Sequence, residues 1–424
     1  MRNIVTILGR IGLVVAGLLA PILLLELGVR VMRLAPPPIP NPTIWDVNPE
    51  LGWRHLPQSG GTFYSSFNEY RAEVKINSLG LRDDEALTGY SLPPDTFSML
   101  ILADSFGEAL QVPLDKTFFK QLQHRLTQAG LKAQSINAGV GSWGTDQEAT
   151  FYRLEGYRYH PDLVLLFFFV RNDAANNYGP LEIARNGGSI QKSFYRLDDE
   201  GKLVYPPPFD PDHAYSSEAA KPNPLPPAPL LPTADWLWLR SHLYRWLVPY
   251  LQDIPPVLAA LGPGGLLGGE ARVRAAHPVV PIPFYVYQTP PSREWRQAWA
   301  LTAAILGDLN RQVTANGSRF ATVIIPAKEQ VYPDRWDKMV AANPSLKSAT
   351  WDLNLPNRQL AQILVEQGIP YLDLLPAFKA AAAVEGGPPL YFKHDGHWTE
   401  AGHALAAEAV FEFLQQANLA GGQR

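Results

Sequence analysis

The sequence contains no cysteine, and this absence excludes three kinds of chemistry at once. Disulfide bonds, thiol nucleophiles and thiolate metal sites all require cysteine. A basic excess is also missing, since 36 Lys and Arg stand against 40 Asp and Glu, so the chain lacks the positive surface that nucleic acid requires. No glycine-rich loop followed by lysine occurs, so phosphate binding is not indicated. We therefore expect no nucleic-acid partner and no cofactor.

The chain is long, and nearly half of its residues are hydrophobic. Its 424 residues leave room for one large domain with insertions or for two domains. A hydrophobic content of 46% supports a sizeable core. The 40 prolines occur in clusters, which is typical of spacers and irregular insertions.

The N-terminal segment has the composition of a membrane anchor. Residues 11–25 carry no charge, and the apolar stretch continues past Glu26 to about the thickness of a membrane. Arg2 and Arg10 precede the run and favour a cytoplasmic N-terminus. No convincing cleavage site follows the run. We therefore predict an uncleaved signal anchor and transmembrane helix over residues 1–34, with a cleaved signal peptide as the alternative.

The most informative stretch runs from Met99 to Glu108. Its first residues, up to Ala103, are apolar without a helical period, which predicts a buried parallel strand. Asp104 and Ser105 follow directly, and active sites of open α/β sheets lie at the carboxyl ends of such strands. Ser105 is therefore a candidate nucleophile. The alternative is that Ser105 only caps the helix that follows.

Further strand-like runs alternate with helical patterns along the chain. They comprise Ala133–Asn137, Leu163–Val170, Phe320–Ile325 and Tyr371–Asp373. This alternation predicts a doubly wound parallel sheet of about five strands with right-handed crossovers. The run Leu163–Val170 is too apolar for an edge strand and is expected at the centre of the sheet.

A serine nucleophile needs a base within hydrogen-bond reach and an acid that orients the base. His397 is the best candidate base, because it follows a glycine just ahead of a helix and Asp395 lies two residues earlier. His394 and His403 are the other histidines that this segment offers. Zinc held by His394, Asp395 and His397 is the competing use of the cluster. Since no second His/Asp cluster is evident, we predict no metal.

Four short blocks carry a family resemblance. They contain Ser105 and Gly107, the stretch 136–145, the triplet Arg171-Asn172-Asp173, and the C-terminal segment 395–399. In this order they resemble the SGNH/GDSL hydrolase family, over residues 96–178 and 318–415. The Asp-x-His-Trp form of the last block is similar to that of SGNH-type alginate O-acetyltransferases and of membrane-anchored bacterial relatives. The resemblance implies a flavodoxin-like three-layer α/β/α fold.

The same resemblance implies an oxyanion hole. In the family its donors are the backbone N–H of the nucleophile, here Ser105, a glycine N–H of the second block, and the side chain of the block-three Asn, here Asn172. Aligning the second block on Asn137 puts Ser142 at that glycine, beside Gly141, and a backbone N–H can come from serine. The alternative is that the block-two glycines only shape a tight turn.

Supporting roles follow for three neighbours of these groups. Asp104 precedes the nucleophile and, in such proteins, helps to pin the turn. Asp173 follows the block-three Asn and is expected to hold its loop rather than react. Gly141 is expected to support the second block from beside Ser142.

The motifs and composition shifts predict five segments. These are the anchor 1–34, a Pro-rich spacer and small β-rich lead-in 35–95, a first core half 96–178, an insertion or lid 179–288, and a second core half 289–424. Within the insertion, a Trp-rich helix from Trp236 to Leu251 is expected to lie on the membrane surface, to line an acyl or sugar site, or to pack on the core.

These observations favour a serine esterase or hydrolase, held in the membrane with its catalytic domain outside the cytoplasm. The resemblance implies cleavage of acyl esters, O-acetyl groups above all, through an acyl-serine intermediate. The anchored placement suits esters of cell-envelope or extracellular glycans or lipids. Transfer of the acyl group to exopolysaccharide is one alternative, and a non-catalytic glycan-binding protein on the same fold is another.

Overall fold

The computed structural model describes residues 2–83, 89–186, 189–210, 215–216, 227–276, 282–342 and 344–421. The chain divides into two compact units. The larger comprises Pro42–Phe63, Ala72–Asn223 and Val280–Arg424. The smaller comprises Met1–Asn41, Tyr64–Arg71 and Pro224–Val279.

The strands of the described chain are β1 (Trp45–Asn48), β2 (Gly52–His55), β3 (Gly60–Tyr64), β4 (Arg71–Lys75), β5 (Phe97–Ala103), β6 (Ala133–Asn137), β7 (Leu163–Phe169), β8 (Ser189–Ile190), β9 (Arg196–Leu197), β10 (Leu203–Val204), β11 (Tyr215–Ser216), β12 (Gln288–Thr289), β13 (Arg319–Ile325), β14 (Thr350–Trp351) and β15 (Tyr371–Asp373). The α-helices are α1 (Arg2–Val31), α2 (Ser105–Glu108), α3 (Phe118–Gln128), α4 (Thr145–Leu154), α5 (Asp173–Asn177), α6 (Gly179–Arg185), α7 (Leu231–Arg240), α8 (His242–Gln252), α9 (Pro255–Leu261), α10 (Gly269–Ala276), α11 (Arg293–Ala315), α12 (Lys328–Val331), α13 (Pro333–Ala342), α14 (Leu355–Glu366), α15 (Leu375–Ala382) and α16 (Glu400–Gln416).

A five-stranded sheet in the order β15-β13-β7-β5-β6 forms the centre of the larger unit. Its neighbouring strands are parallel throughout. Every residue of β5 and β7 is buried, which explains why these runs lack polar alternation. This strand order is that of flavodoxin-like folds. The predicted fold, with the run at Leu163–Val170 in the middle of the sheet, is confirmed.

Helices cover the sheet as the alternation of the sequence requires. α3 packs on β6 and α16, whereas α11 packs on β13, α4 and α5. The buried face of α11 includes Trp295, Trp299 and Thr302, which recur at helical spacing. The three layers place the sheet between two groups of helices.

The register of the parallel strands brings the polar blocks to one edge of the sheet. Ala103 at the end of β5 lies beside Phe167, near the end of β7. Asn137 at the end of β6 lies beside Ile101. Because all these strands run in the same direction, the segments that follow them meet at the carboxyl edge.

The smaller unit contains α1 and the helices α7 to α10. Residues Gly12–Val31 of α1 are long and apolar enough to cross a membrane, and only 6% of that window is buried. The predicted single helix from Trp236 to Leu251 is wrong in one respect, because it is broken between α7 and α8. Ser241 is extended there, and its side chain accepts the N–H of Tyr244, which starts α8 as a new helix.

The predicted segment boundaries remain predictions, and the structure adds one division to them. Within the segment 179–288, only Pro224–Val279 belongs to the smaller unit, together with Met1–Asn41. The flanking parts of that segment belong to the larger unit, which also contains the five-stranded sheet.

Candidate active site

Ser105 is the first residue of the short helix α2, immediately after β5. The cap of this helix is Asp104, whose Oδ1 accepts the N–H of Phe106 at 2.9 Å. Ser105 is therefore not the capping residue, and the alternative considered for it is wrong. Gly107 lets the turn pack closely, because a Cβ there would lie 2.5 Å from the Cβ of Ala103.

The side chain of Ser105 points to His397, although the two residues are far apart in sequence. Nε2 of His397 lies 2.8 Å from Oγ of Ser105. Nδ1 of the same ring lies 2.5 Å from Oδ1 of Asp395, which also accepts the backbone N–H of His397 at 2.8 Å. Both ring nitrogens are thus engaged, which leaves neither for a metal. The arrangement can pass a proton from the hydroxyl to the imidazole.

Trp398 anchors the segment that carries Asp395 and His397 to the core by packing. Its side chain is fully buried, and its ring packs against Phe106 and Phe378, with centroid distances of 4.8 and 5.2 Å. The ring of Phe106 lies 5.1 Å from that of His397. The turn that carries Ser105 (the nucleophile turn) and the segment that carries Asp395 and His397 (the acid-base segment) are therefore held together by shared aromatic packing.

Lys328 also binds the segment that carries Asp395 and His397. Its ammonium group donates to the backbone carbonyls of Phe392, of Lys393 at 2.7 Å and of Asp395 at 3.3 Å. Lys328 is 6% exposed, so these carbonyls replace the water that the charge would otherwise bind. The buried ammonium group of Lys328 thus holds the backbone around Asp395 in position.

We expect Lys328→Met to lower kcat by about 100-fold with a smaller change in KM, because the loop loses its fixed position and the acid-base geometry depends on it. Steady-state hydrolysis of a soluble ester measures both constants. Lys393→Met is the matched control, since Lys393 is exposed and its side chain is a cation on the same loop. Unchanged kcat in Lys328→Met would show that Lys328 does not position Asp395 and His397.

The electrostatics of His397 favour its role as a base near neutral pH. Burial lowers the pKa of His397, but the charge and hydrogen bond of Asp395 outweigh burial, so the pKa lies above its ordinary value of 6.5. Only the neutral imidazole can accept the hydroxyl proton.

The pH dependence of kcat/KM is therefore expected to fall on the acid side through a pKa above 6.5. Asp395→Asn removes the stabilising charge, so this limb should move to lower pH, while the plateau drops by about 10³- to 10⁴-fold. A pH–rate profile of both proteins measures the two effects. An acid limb at the same pH in Asp395→Asn would contradict the assignment of the limb to His397.

Asp104 and Asn172 lie together beside the nucleophile. Nδ2 of Asn172, which directly precedes α5, donates to Oδ2 of Asp104 at 3.4 Å. Burial raises the pKa of Asp104 to about 6, although the N–H of Phe106, the charge of His397 and Asn172 all act to lower it. The amide of Asn172 has a second N–H that is not used in this contact.

The second block forms a tight loop, as both interpretations of it require. A Cβ on Gly139 would lie 2.6 Å from the backbone of Gly107, and one on Gly141 would lie 2.5 Å from Oε2 of Glu108. These two glycines therefore permit the close approach of the block to the nucleophile turn. Ser142 is exposed and has φ +63°, the left-handed conformation that glycine adopts most readily. Its carbonyl accepts from Asn176 at 3.0 Å, and its role as oxyanion donor stays a prediction.

Asp173 is fully buried at the end of β7. Its Oδ2 accepts the N–H of Phe169 at 2.9 Å. Burial and the nearby carboxyl groups of Asp104 and Glu148 raise its pKa well above the ordinary value. A carboxyl in this position ties the loop after β7 to the strand itself.

His403, in the C-terminal helix α16, has a different environment from His397. His403 is buried, and its Nδ1 accepts the N–H of Phe118, the first residue of α3, at 3.3 Å. Burial lowers the pKa of His403 to about 3, so its ring is neutral. His403 therefore joins α16 to α3 and does not contact Ser105.

Sequence reasoning missed a group of side chains behind the nucleophile turn. Oε1 of Glu108 lies 2.7 Å from Nε1 of Trp45 and 2.7 Å from Nε2 of His55. Trp53 contributes a third contact from the lead-in, donating to the carbonyl of Gly141 at 3.0 Å. No periodic pattern marks these residues, because they lie in short strands whose partners are distant in sequence.

Arg82 belongs to the lead-in and is buried beneath the end of α2. The residue is 1% exposed and donates to the carbonyls of Glu108, Ala109 and Val112. Its neighbour Asp83 pairs with Lys120. Arg82 satisfies the carbonyls at the end of α2, so the lead-in supports the nucleophile helix from its carboxyl end.

A cavity of about 330 Å³ borders the acid-base segment at His394–Gly396. Its walls carry the cationic side chains of Arg171, Lys328 and Arg335 and the rings of Phe284 and Trp336. Polar groups for orientation next to aromatic surfaces are typical of small-molecule binding sites. The cavity reaches Asp395, whereas Ser105 and His397 do not line it, so it is a candidate binding space beside the site and not the place of bond cleavage.

Residues 284–424 match the family described as ALGX, the SGNH hydrolase-like domain of acetyltransferase AlgX. The match confirms the predicted resemblance and includes the Asp-x-His-Trp block, whereas the nucleophile turn lies outside it. A search of curated proteins found no match.

Several solved structures are similar to the chain. The acetyl xylan esterase AlAXEase is 9% identical with a TM-score of 0.36, over 74% of this chain and 98% of that one. A lipase/acylhydrolase from Enterococcus faecalis is 10% identical with a TM-score of 0.33, over 76% and 96%. A mutant of an acetylxylan esterase from Geobacillus stearothermophilus is 12% identical with a TM-score of 0.33, over 75% and 93%.

Proposed function

We propose that this chain is an SGNH hydrolase-like enzyme of acyl esters and that it works through an acyl-enzyme formed on Ser105. His397 is the general base and Asp395 holds its ring and stabilises the imidazolium. The observation that carries this proposal is the chain of contacts from Asp395 through His397 to the Ser105 hydroxyl, at 2.5 and 2.8 Å.

The chemistry then proceeds in two similar halves. His397 Nε2 takes the hydroxyl proton while Oγ of Ser105 attacks the ester carbon, and the carbonyl oxygen becomes an oxyanion. The N–H groups of Ser105 and Ser142 and the amide of Asn172 are the proposed donors to that oxyanion. Collapse breaks the ester C–O bond, and the imidazolium gives its proton to the departing alkoxide. An acceptor hydroxyl then attacks the acyl-serine by the same route.

A fluorophosphonate probe tests the activated nucleophile directly. The full chain in detergent is expected to be labelled on Ser105, as identified by peptide mapping, and His397→Ala is expected to lose the label. A folded wild-type protein that takes no label would contradict the proposal and favour the glycan-binding alternative.

The identity of the acceptor separates two candidate activities. Water yields a carboxylic acid, as in an esterase, whereas a sugar hydroxyl yields a new ester. The match to an acetyltransferase domain favours transfer as the second candidate. An acetyl donor ester with and without a soluble oligosaccharide tests both, because transfer produces an acetylated sugar that mass spectrometry detects, and hydrolysis produces only acetate.

The apolar helix α1 supports a membrane location for this activity. We propose that α1 spans the membrane once, with the larger unit outside the cytoplasm, where glycan and lipid esters of the cell envelope are accessible. Arg2 and Arg10 before the apolar run favour this orientation. Cysteine labelling with a membrane-impermeant reagent tests it, because an introduced thiol in the larger unit should react in cells with an intact inner membrane.

A further inference from the structure

Glu26 is the single carboxylate within the apolar stretch of α1, and it has specific partners in the smaller unit. Its oxygens accept the hydroxyl of Ser241 at 2.8 Å and the backbone N–H groups of His242 and Leu243 at 2.9 Å each. These donors form the N-terminus of α8. A carboxylate near a membrane is costly unless it is paired, and the first turn of a helix supplies both N–H donors and a favourable dipole.

Arg245 also stabilises the junction between α1 and the N-terminus of α8. Its side chain is 2% exposed, donating to the carbonyl of Pro36 at 3.0 Å and to that of Trp238 at 2.7 Å. Pro36 follows α1 in the chain, and Trp238 lies in the last turns of α7. Arg245 thus links the segment after α1 to both α7 and α8.

The tied helix α7 exposes large apolar side chains close to this junction. Trp236 and Leu239 are 59% and 60% exposed, and they lie one helical turn apart. Leu239 is only two residues before Ser241, which contacts Glu26 directly. α1 also exposes an apolar side chain at its end, Val31 at 71%. Both α1 and α7 therefore present exposed apolar side chains close to this junction.

We infer that the α7 face carrying Trp236 and Leu239 is a lipid-contacting surface, which α1 holds at the headgroup level of the bilayer through Glu26. An exposed tryptophan on a helix linked to the end of an apolar helix, with Arg30 and Arg33 near the end of α1 and Arg240 at the end of α7, is typical of a membrane interface. The occupant of this surface is the bilayer that α1 spans. The inference rests on the proposed membrane placement of α1.

The absence of cysteine allows a direct test with single spin labels. Full-length Leu239→Cys and Leu18→Cys proteins are labelled with a nitroxide and reconstituted into vesicles of phosphatidylcholine and phosphatidylglycerol. Collisional accessibility to oxygen, which partitions into lipid, is compared with accessibility to a water-soluble nickel chelate. We expect a high oxygen-to-nickel ratio at both positions. Adding Glu26→Ala to Leu239→Cys should lower the ratio at position 239 several-fold, whereas Glu26→Gln, which keeps one acceptor oxygen, should lower it less.

The outcomes separate the inference from the proposal on which it rests. A water-exposed label at position 239 with a lipid-exposed label at position 18 would overturn the surface and leave the membrane span intact. A water-exposed label at position 18 would overturn both. An unchanged ratio at position 239 after Glu26→Ala would overturn the role of Glu26. Activity on a soluble ester, measured for each labelled protein, reports that the larger unit is folded.

Discussion

Ser105→Ala is expected to lower kcat/KM for a soluble ester on the order of 10⁵-fold. The substitution removes the attacking oxygen, and what remains comes from substrate binding and the oxyanion donors alone. Stability should change little, because the hydroxyl of Ser105 is hydrogen-bonded to the partly exposed ring of His397. Hydrolysis of a chromogenic acetyl ester measures the loss, and thermal unfolding measures the stability.

Ser318→Ala is the matched control for this experiment. Ser318 is buried and directly precedes β13, so it lies at the opposite, amino-terminal edge of the sheet. Its turnover should remain close to that of the wild type. Wild-type turnover in Ser105→Ala would exclude an acyl-Ser105 intermediate.

His397→Ala is expected to cause a loss similar to that of Ser105→Ala, since the hydroxyl has no other base within reach among the described contacts. The double variant should be no worse than either single variant, because residues that act as one unit do not contribute additively. Three parallel measurements of kcat, on the two single variants and the double variant, test this expectation.

His394→Ala separates the two histidines of the loop. His394 borders the cavity but is not the ring in contact with Ser105, so we expect its loss to be about tenfold or less. If His394→Ala were as inactive as His397→Ala, the assignment of the base would be wrong.

The strands of the core could be predicted because burial on both faces leaves a continuous apolar run in the sequence. β7 is the clearest case, because its seven consecutive apolar residues are all buried, as expected for a central strand. Helix starts were less predictable. Asp115 has the residue type of a cap, yet α3 begins at Phe118 after a separate short turn, because Thr117 is extended at that point. Local composition does not reveal which of several polar residues takes the extended conformation.

The candidate catalytic residues could be proposed from the sequence because they follow predicted strands or lie beside glycine. The sequence could not reveal their supports. Lys328 binds carbonyl groups, which every residue has, so no side-chain pattern marks its partners. Glu108 and His55 are 53 residues apart in sequence, and only the folded structure brings their side chains to 2.7 Å. Such supports depend on tertiary structure alone.

The separation of 292 residues between Ser105 and His397 has a consequence for biosynthesis. While the chain is being synthesised, β5 and its serine exist long before β13, β15 and the segment that carries the imidazole. Under the proposed mechanism, Ser105 is expected to have the reactivity of an ordinary alcohol until Trp398 packs against Phe106. We therefore expect a nascent or C-terminally truncated polypeptide to be unreactive toward esters until the final part of the chain has folded onto the core.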